Sequence, residues 1–231
     1  MKLGIFTDAH YSSASVTCTN RYNSKSLDKI KKAYEYFKAE NAELVICLGD
    51  LTDTEKSHEK EVENLAEIAE VIKASGIKTI CVMGNHDGFC YTLDEFYGIL
   101  GGCKPEKLCV DGKNLVFVDA CYFKNGRHYE PGDSDWEDTF YPFEKELEES
   151  LSKLDGDIYV FMHQNVDANI PENHRLYNAK AICDFFEKNG RVKAVFQGHY
   201  HPGFESENNS VKYVTFPAMC SMDEGWFVTE L

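Results

Sequence analysis

Five short apolar runs rich in β-branched residues recur along the chain: Lys2–Thr7, Leu44–Gly49, Thr79–Gly84, Asp157–Met162 and Lys193–Gly198. Each is too short and too apolar to be an exposed helix, so each is expected to be a buried strand. Between them apolar residues return at helical spacing. They fall at Leu27, Ile30, Ala33, Tyr34 and Phe37 within Ser26–Glu40, and at Val62, Leu65, Ile68, Ala69 and Ile72 within Glu55–Ala74. Pro142–Leu154 and Tyr177–Lys188 predict two further amphipathic helices, the first acidic on its outer face. This alternation restricts the chain to a layered α/β architecture.

Other segments depart from that alternation. Leu108–Val110 and Leu115–Val118, joined through Asp111-Gly112-Lys113-Asn114, carry the turn chemistry of a β-hairpin. A second hairpin is expected from Gly203–Glu207 to Val211–Phe216, with a last strand at Trp226–Thr229. Strand pairs outside the alternating helices imply a second sheet. The long irregular stretch Cys121–Tyr141 reads as a surface loop or lid. No repeat or linker divides the chain, and 231 residues suit one large domain with its own core.

Composition narrows the partners. The formal net charge of −15 repels long polyanions, and no basic stripe is present to neutralise successive phosphates, so a nucleic-acid groove is not expected. No apolar run approaches the roughly 20 residues of a membrane helix. The start MKLGIFTDAH lacks the basic region and longer apolar stretch of a signal peptide and reads as a first strand. Nine cysteines, scattered without a C-x-x-C pair, suggest reduced and mostly buried thiols in a cytoplasm rather than metal ligands.

Directly after the five apolar runs stand Asp8, Asp50, Asn85, His163 and His199, each able to ligate a metal ion. In an open α/β sheet, residues at the carboxyl ends of parallel strands converge on one rim. His10, His86 and His201 follow one or two positions later, on the turns. Each piece alone has a bland reading: a strand-end aspartate caps a turn, and a single histidine is often a buried hydrogen-bonded one. Together, four imidazoles and two carboxylates on one edge call for cationic compensation. His58, His128 and His174 have no such setting, and His58 reads as the polar start of a helix.

Taken in order, Asp8-Ala9-His10, Gly49-Asp50, Gly84-Asn85-His86-Asp87, the strand-end His163 and Gly198-His199-Tyr200-His201 resemble the signature of the calcineurin-like metallophosphoesterases. The resemblance spans positions 8 to 201. It implies a four-layer α/β sandwich, with two mixed sheets face to face and helices outside, as one domain over residues 1–231. It also implies roles. Asp8, His10, Asp50 and His201 would bind a first metal, Asp50 would bridge, and Asn85, His163 and His199 would complete a second. His86 would act as the acid, with Asp87 orienting its ring.

Two divalent ions against two carboxylates and a bridging hydroxide leave about one net positive charge to receive phosphate oxygens. The expected reaction is therefore attack of a metal-bridging hydroxide on a phosphoester, with no serine or cysteine nucleophile. A mixed nitrogen and oxygen donor set favours Mn²⁺, Fe or Zn²⁺ over Ca²⁺, with Mn²⁺ expected first. The expected substrate is a small phosphodiester or phosphomonoester, such as a nucleotide derivative. The strip Asn20-Arg21-Tyr22 and the stretch Gly49-Asp50-Leu51-Thr52-Asp53 resemble the branch of cyclic-nucleotide phosphodiesterases and manganese-dependent ADP-ribose/CDP-alcohol diphosphatases. The diphosphatases commonly carry Gln where His10 stands, which leans the chain towards the phosphodiesterases.

Among four arginines, Arg21 and Arg127 are the candidates for a phosphate clamp. The acidic loop holding Glu130, Asp133, Asp135, Glu137 and Asp138 could close over the site, with Trp136 or Phe140 stacking on a base. Tyr11, Asn165 and Tyr200 flank the motifs and are candidate contacts. Two other functions fit less well: a non-catalytic metal-binding scaffold, which the intact motif set argues against, and a nuclease, which the acidic charge disfavours.

Overall fold

The computed structural model describes residues 1–17 and 20–231; Cys18, one of the nine thiols, lies outside the described residues. In chain order the elements are β1 (Lys2–Phe6), α1 (Ser26–Ala39), β2 (Leu44–Cys47), α2 (His58–Ser75), β3 (Thr79–Cys81), α3 (Asn85–Cys90), α4 (Leu93–Ile99), β4 (Lys107–Val110) and β5 (Lys113–Val118). There follow α5 (Glu144–Ser152), β6 (Ile158–Met162), α6 (Ala179–Asn189), β7 (Val192–Gln197), β8 (Phe204–Asn208), β9 (Val211–Thr215) and β10 (Trp226–Glu230).

The strands form two mixed sheets, in the orders β10-β1-β2-β3 and β4-β5-β6-β7-β9-β8. β1, β2 and β3 run parallel, as do β5, β6, β7 and β9. The outer strands β10, β4 and β8 are antiparallel to their neighbours.

Successive side chains of a strand point to opposite faces, and here both faces are covered. Leu3, Ile5, Leu44, Ile46, Leu115, Phe117, Phe161 and Phe196 meet in the layer between the sheets. Phe6, Val45 and Cys47 point the other way, onto Ile30 and Phe37 of α1 and Leu65 and Ile68 of α2. Val116, Val160, Met162 and Val195 pack against Leu147 and Leu151 of α5 and Ile182 and Phe186 of α6. Each such side chain buried contributes roughly 1.5–3 kcal/mol. The result is helices, sheet, sheet, helices, the four layers expected.

Four of the five strands expected from apolar runs stop one to three residues earlier than those runs, because the chain leaves the ladder in tight turns that carry the motif residues; β6 ends with its run at Met162. Asn85 does not close a strand; it opens α3, a helix too short and too glycine-containing to show periodicity. α4, at seven residues, is likewise too short to show a helical period.

Candidate active site

The motif turns rest on unusual backbone. Asp8, His10, Asp50 and His199 adopt left-handed φ values of 52°, 47°, 52° and 65°, which a residue with a Cβ seldom adopts and which cost about 1–3 kcal/mol each. Neighbouring backbone pins them: Asp8 N–H donates to Gly49 O (3.0 Å), His10 N–H to Asp50 O (2.9 Å) and Tyr11 N–H to Leu51 O (2.9 Å). Two motif glycines are required by close approach rather than by flexibility. A Cβ on Gly84 would strike the Asp50 carboxylate and backbone, and one on Gly198 would strike Thr7 and Asp8.

These turns bring all seven of Asp8, His10, Asp50, Asn85, His163, His199 and His201 to one rim. Asp8, His10, Asp50 and Asn85 come from the first sheet's strand ends, and His163, His199 and His201 from the second's. His10 Nε2 stands 3.2 Å from His201 Nε2 and 3.5 Å from Asp50 Oδ2. Asp8 Oδ1 lies 3.3 Å from His201 Nε2 and 3.6 Å from His10 Nε2. On the other side, His163 Nε2 is 3.2 Å from Asp50 Oδ2 and 3.1 Å from Asn85 Oδ1, and Asp50, His163 and His199 form a buried group with donor atoms mutually within 4.8 Å. Asp50 Oδ2 thus belongs to both groups.

These spacings fit a metal pair. Donors about 2.1 Å from one ion and at right angles to each other stand about 3 Å apart. Asp8 Oδ1 is buried without a hydrogen-bond partner, as a ligand oxygen aimed at an ion would be. His163 Nδ1–H donates to Leu48 O at 2.7 Å, which turns Nε2 towards Asp50.

Electrostatics suit Asp8, Asp50, His10 and His199 as donors, whereas His163 would have to release a proton on binding an ion. Burial alone would raise the Asp8 carboxyl, but His10 and His201 outweigh it and hold it well below the usual range. Asp50 is lowered likewise, burial being overcome mainly by His163 and His86. Burial, then His86, depresses His10 to about 4, and burial with His163 holds His199 well below the ordinary value, so both offer neutral imidazole. Burial pulls His163 down, yet Asp50 lifts it to about 9.

His86 sits against this group, its ring edge-on to His10 at 4.6 Å, with its backbone N–H donating to Asp50 Oδ1 (2.8 Å). The expected orienting partner is corrected here. Asp87 does not hold the His86 ring: its carboxylate accepts the backbone N–H groups of Thr52 (3.2 Å) and Gly84 (3.0 Å), tying two motif turns together. The partner is Asp53, whose Oδ1 accepts from His86 Nδ1 at 2.9 Å. Asp53 Oδ2 accepts from Asn23 (3.1 Å) and Arg21 (3.3 Å). Burial lowers the His86 basicity, but Asp50 and Asp53 outweigh it and raise it above the ordinary value. Asp53 and Asn23 were missed as functional residues; the only signal was Asp53's place three residues after Asp50.

A cleft of about 380 Å³ opens over the rim, lined by Arg21, Asp50, Asn85, His86, Trp136, His174, His199, Tyr200, His201 and Pro202. Arg21 of the two clamp candidates is there. Arg127 is not; it forks onto Asp133 at 2.8 and 2.9 Å within the acidic loop. Trp136 faces the cleft, whereas Phe140 pairs with Tyr122 instead.

His174, given no setting from sequence, lies with its ring 5.1 Å from both Trp136 and Tyr200. The acidic loop's Asp135, Glu137 and Asp138 line a separate cavity of about 710 Å³ that contains none of the seven rim residues. Tyr200 lines the cleft, but Tyr11 donates to Glu67 (2.6 Å), and Asn165 holds Gly198 O (2.8 Å) from beneath. His58 pairs with Glu61 and Glu95, as a helix-start residue would.

A sequence profile of the calcineurin-like phosphoesterases matches residues 1–203. The chain belongs to that family. It is a metal-dependent phosphoric ester hydrolase, and the candidate His and Asp groups fit the family's dinuclear metal site. No curated protein's sequence matches it. Among solved structures it is similar to a dimetal phosphatase from Danio rerio, at TM-score 0.83 and 15% identity, covering 100% of this chain and 92% of that one. It is also similar to an archaeal phosphodiesterase (TM-score 0.53, 15% identity, 100% and 93% covered). A third is the phosphopantetheinyl hydrolase of Mycobacterium tuberculosis (0.56, 13%, 94% and 89%). At these identities the likeness is one of fold. No helix among the described residues is long and apolar enough to cross a membrane.

Proposed function

We propose that this phosphoesterase hydrolyses a small phosphodiester or phosphomonoester, a nucleotide derivative being the class that best suits its cleft. The observation that carries the reading is the shared Asp50 Oδ2, 3.5 Å from His10 Nε2 on one side and 3.2 Å from His163 Nε2 on the other. Asp8, His10, Asp50 and His201 would hold a first divalent ion, and Asp50, Asn85, His163 and His199 would hold a second. Such a pair, when bound, supplies an acidified water and charge neutralisation for phosphoryl oxygens, with Mn²⁺ the first choice and Fe or Zn²⁺ the alternatives.

The chain's own groups do the rest. Asp53 fixes His86 Nδ1–H, so Nε2 is the atom left to hand a proton to the departing alkoxide. Arg21 adds a guanidinium to the cleft wall. Trp136 and Tyr200 shape it for a planar group, and His174 beside them closes that side. The net charge of −15 favours a small substrate over a long nucleic acid. Eight free cysteines among the described residues support a cytoplasmic setting, although Cys103 and Cys109 are exposed rather than buried.

Hydrolysis of bis(p-nitrophenyl) phosphate and p-nitrophenyl phosphate with added Mn²⁺ tests the reading. Turnover that needs both ions is the expected result. Protein carrying two ions yet inert on every phosphoester in a panel of nucleotides, cyclic nucleotides, nucleoside diphosphate derivatives and monoesters would overturn it.

A further inference from the structure

The chain after β9 turns back under the rim. Met219 N–H donates to Thr7 O and Cys220 N–H to Asp8 O, each at 3.0 Å, so this loop is stitched to the backbone that presents Asp8. Lys29 Nζ locks it from α1 by donating to Met219 O (2.9 Å) and Cys220 O (3.2 Å). The Cys220 thiol is fully buried, and its sulfur lies with a ring nitrogen of His10 and one of His201 in a group whose members are all within 4.8 Å of one another.

A second observation marks the same spot as a ligand position. Asp8 Oδ1, buried and without a hydrogen-bond partner, points at the same two imidazoles from 3.3 and 3.6 Å. A thiolate sulfur about 2.3 Å from an ion and an imidazole nitrogen about 2.1 Å from it are at most about 4.4 Å apart. The 4.8 Å bound on the group is a few tenths of an ångström wider than that span, so the Cys220 side chain would close that gap on binding an ion.

We propose that Cys220 supplies a thiolate donor to the first metal position, alongside Asp8, His10 and His201. The inference rests on the metal assignment above. On coordination the S–H bond breaks, its proton leaves to solvent and a metal–sulfur bond forms; nothing is oxidised or reduced. One soft donor makes the first position unlike the second, whose donors are all nitrogen and oxygen, and it tilts the first position from Mn²⁺ towards Zn²⁺ or Fe.

The test is titration of the full chain with Co²⁺, reading bound metal and the thiolate-to-cobalt charge-transfer absorption in the near ultraviolet. The expected result is two bound ions and a charge-transfer band that Cys220→Ser abolishes while a Cys103→Ser/Cys109→Ser variant keeps it. Two bound cobalt ions with no band, or a band that survives Cys220→Ser, overturn the proposal and leave the hydrolase reading standing. Wild-type protein that binds no cobalt and is inert with every metal sinks both. Should Cys220→Ser fail to fold, ¹¹³Cd resonances of the wild type decide: one shifted downfield by sulfur supports the proposal, and two in the nitrogen and oxygen range refute it.

Discussion

Asp53 Oδ1 accepts a 2.9 Å hydrogen bond from His86 Nδ1, while its other oxygen is held by Asn23 and Arg21. The carboxylate is thereby fixed from both ends, and the ring it holds is fixed in rotation and tautomer. Asp53→Asn should lower kcat by about tenfold or more with two ions still bound. Asp87→Asn, which touches only backbone donors, should instead lower Tm with a smaller effect on kcat. Steady-state kinetics, metal analysis and thermal melts on the two variants separate the roles; equal kcat losses with equal Tm would show that Asp53 does not act through His86.

His86 and Asn85 are adjacent in sequence but face different tasks. His86→Ala should keep both ions and lose about 10²–10⁴ in kcat. Asn85→Ala should release the second ion first. Metal stoichiometry by mass spectrometry distinguishes them, and loss of an ion from His86→Ala would reassign that side chain as a ligand.

Trp136 brings one aromatic ring of the acidic loop into the cleft. Trp136→Ala should raise KM about tenfold for a phosphoester bearing a nucleobase, since stacking contributes about 1–3 kcal/mol per base. For an aliphatic phosphoester KM should hardly move. A uniform rise across both would show that Trp136 only braces the loop.

Asp119, beyond β5, accepts from Lys104 (2.8 Å) and His128 (3.0 Å) and lies far from the motif turns in sequence. Burial would raise its carboxyl, but His128 and Lys104 overcome that and lower it to about 2. Its folded value is thus below its unfolded one. The stabilisation, about 2 kcal/mol, is complete above the ordinary carboxylate range and disappears as pH falls through about 2. Urea unfolding of wild type and Asp119→Asn should differ by about that amount near neutrality and converge in acid; a difference that grows on acidification would contradict the sign.

What could be read from the sequence was what repeats or punctuates. The buried core strands β1, β2, β3, β6 and β7 show as apolar runs, and the rim shows as a polar residue at each run's end. Helix α3 was illegible because six residues make too few turns for a period. Asp53, His174 and Cys220 reach the rim through tertiary folding alone: a loop between β2 and α2, a turn before α6 and a return past β9. The assignment of Asp87 to the His86 ring failed because adjacency along a helix start points side chains to different sides, whereas a residue 33 positions away can lie at bonding distance.

The rim draws Asp8, His10 and Asp50 from one sheet and His163, His199 and His201 from the other, across an interface of leucine, isoleucine and phenylalanine. Such an apolar interface resists separation, but its attraction is non-directional and sets no bond lengths. Coordination distances tolerate only about 0.2 Å. Ions held from both sides would therefore act as a rivet, setting donor positions more finely than apolar packing does.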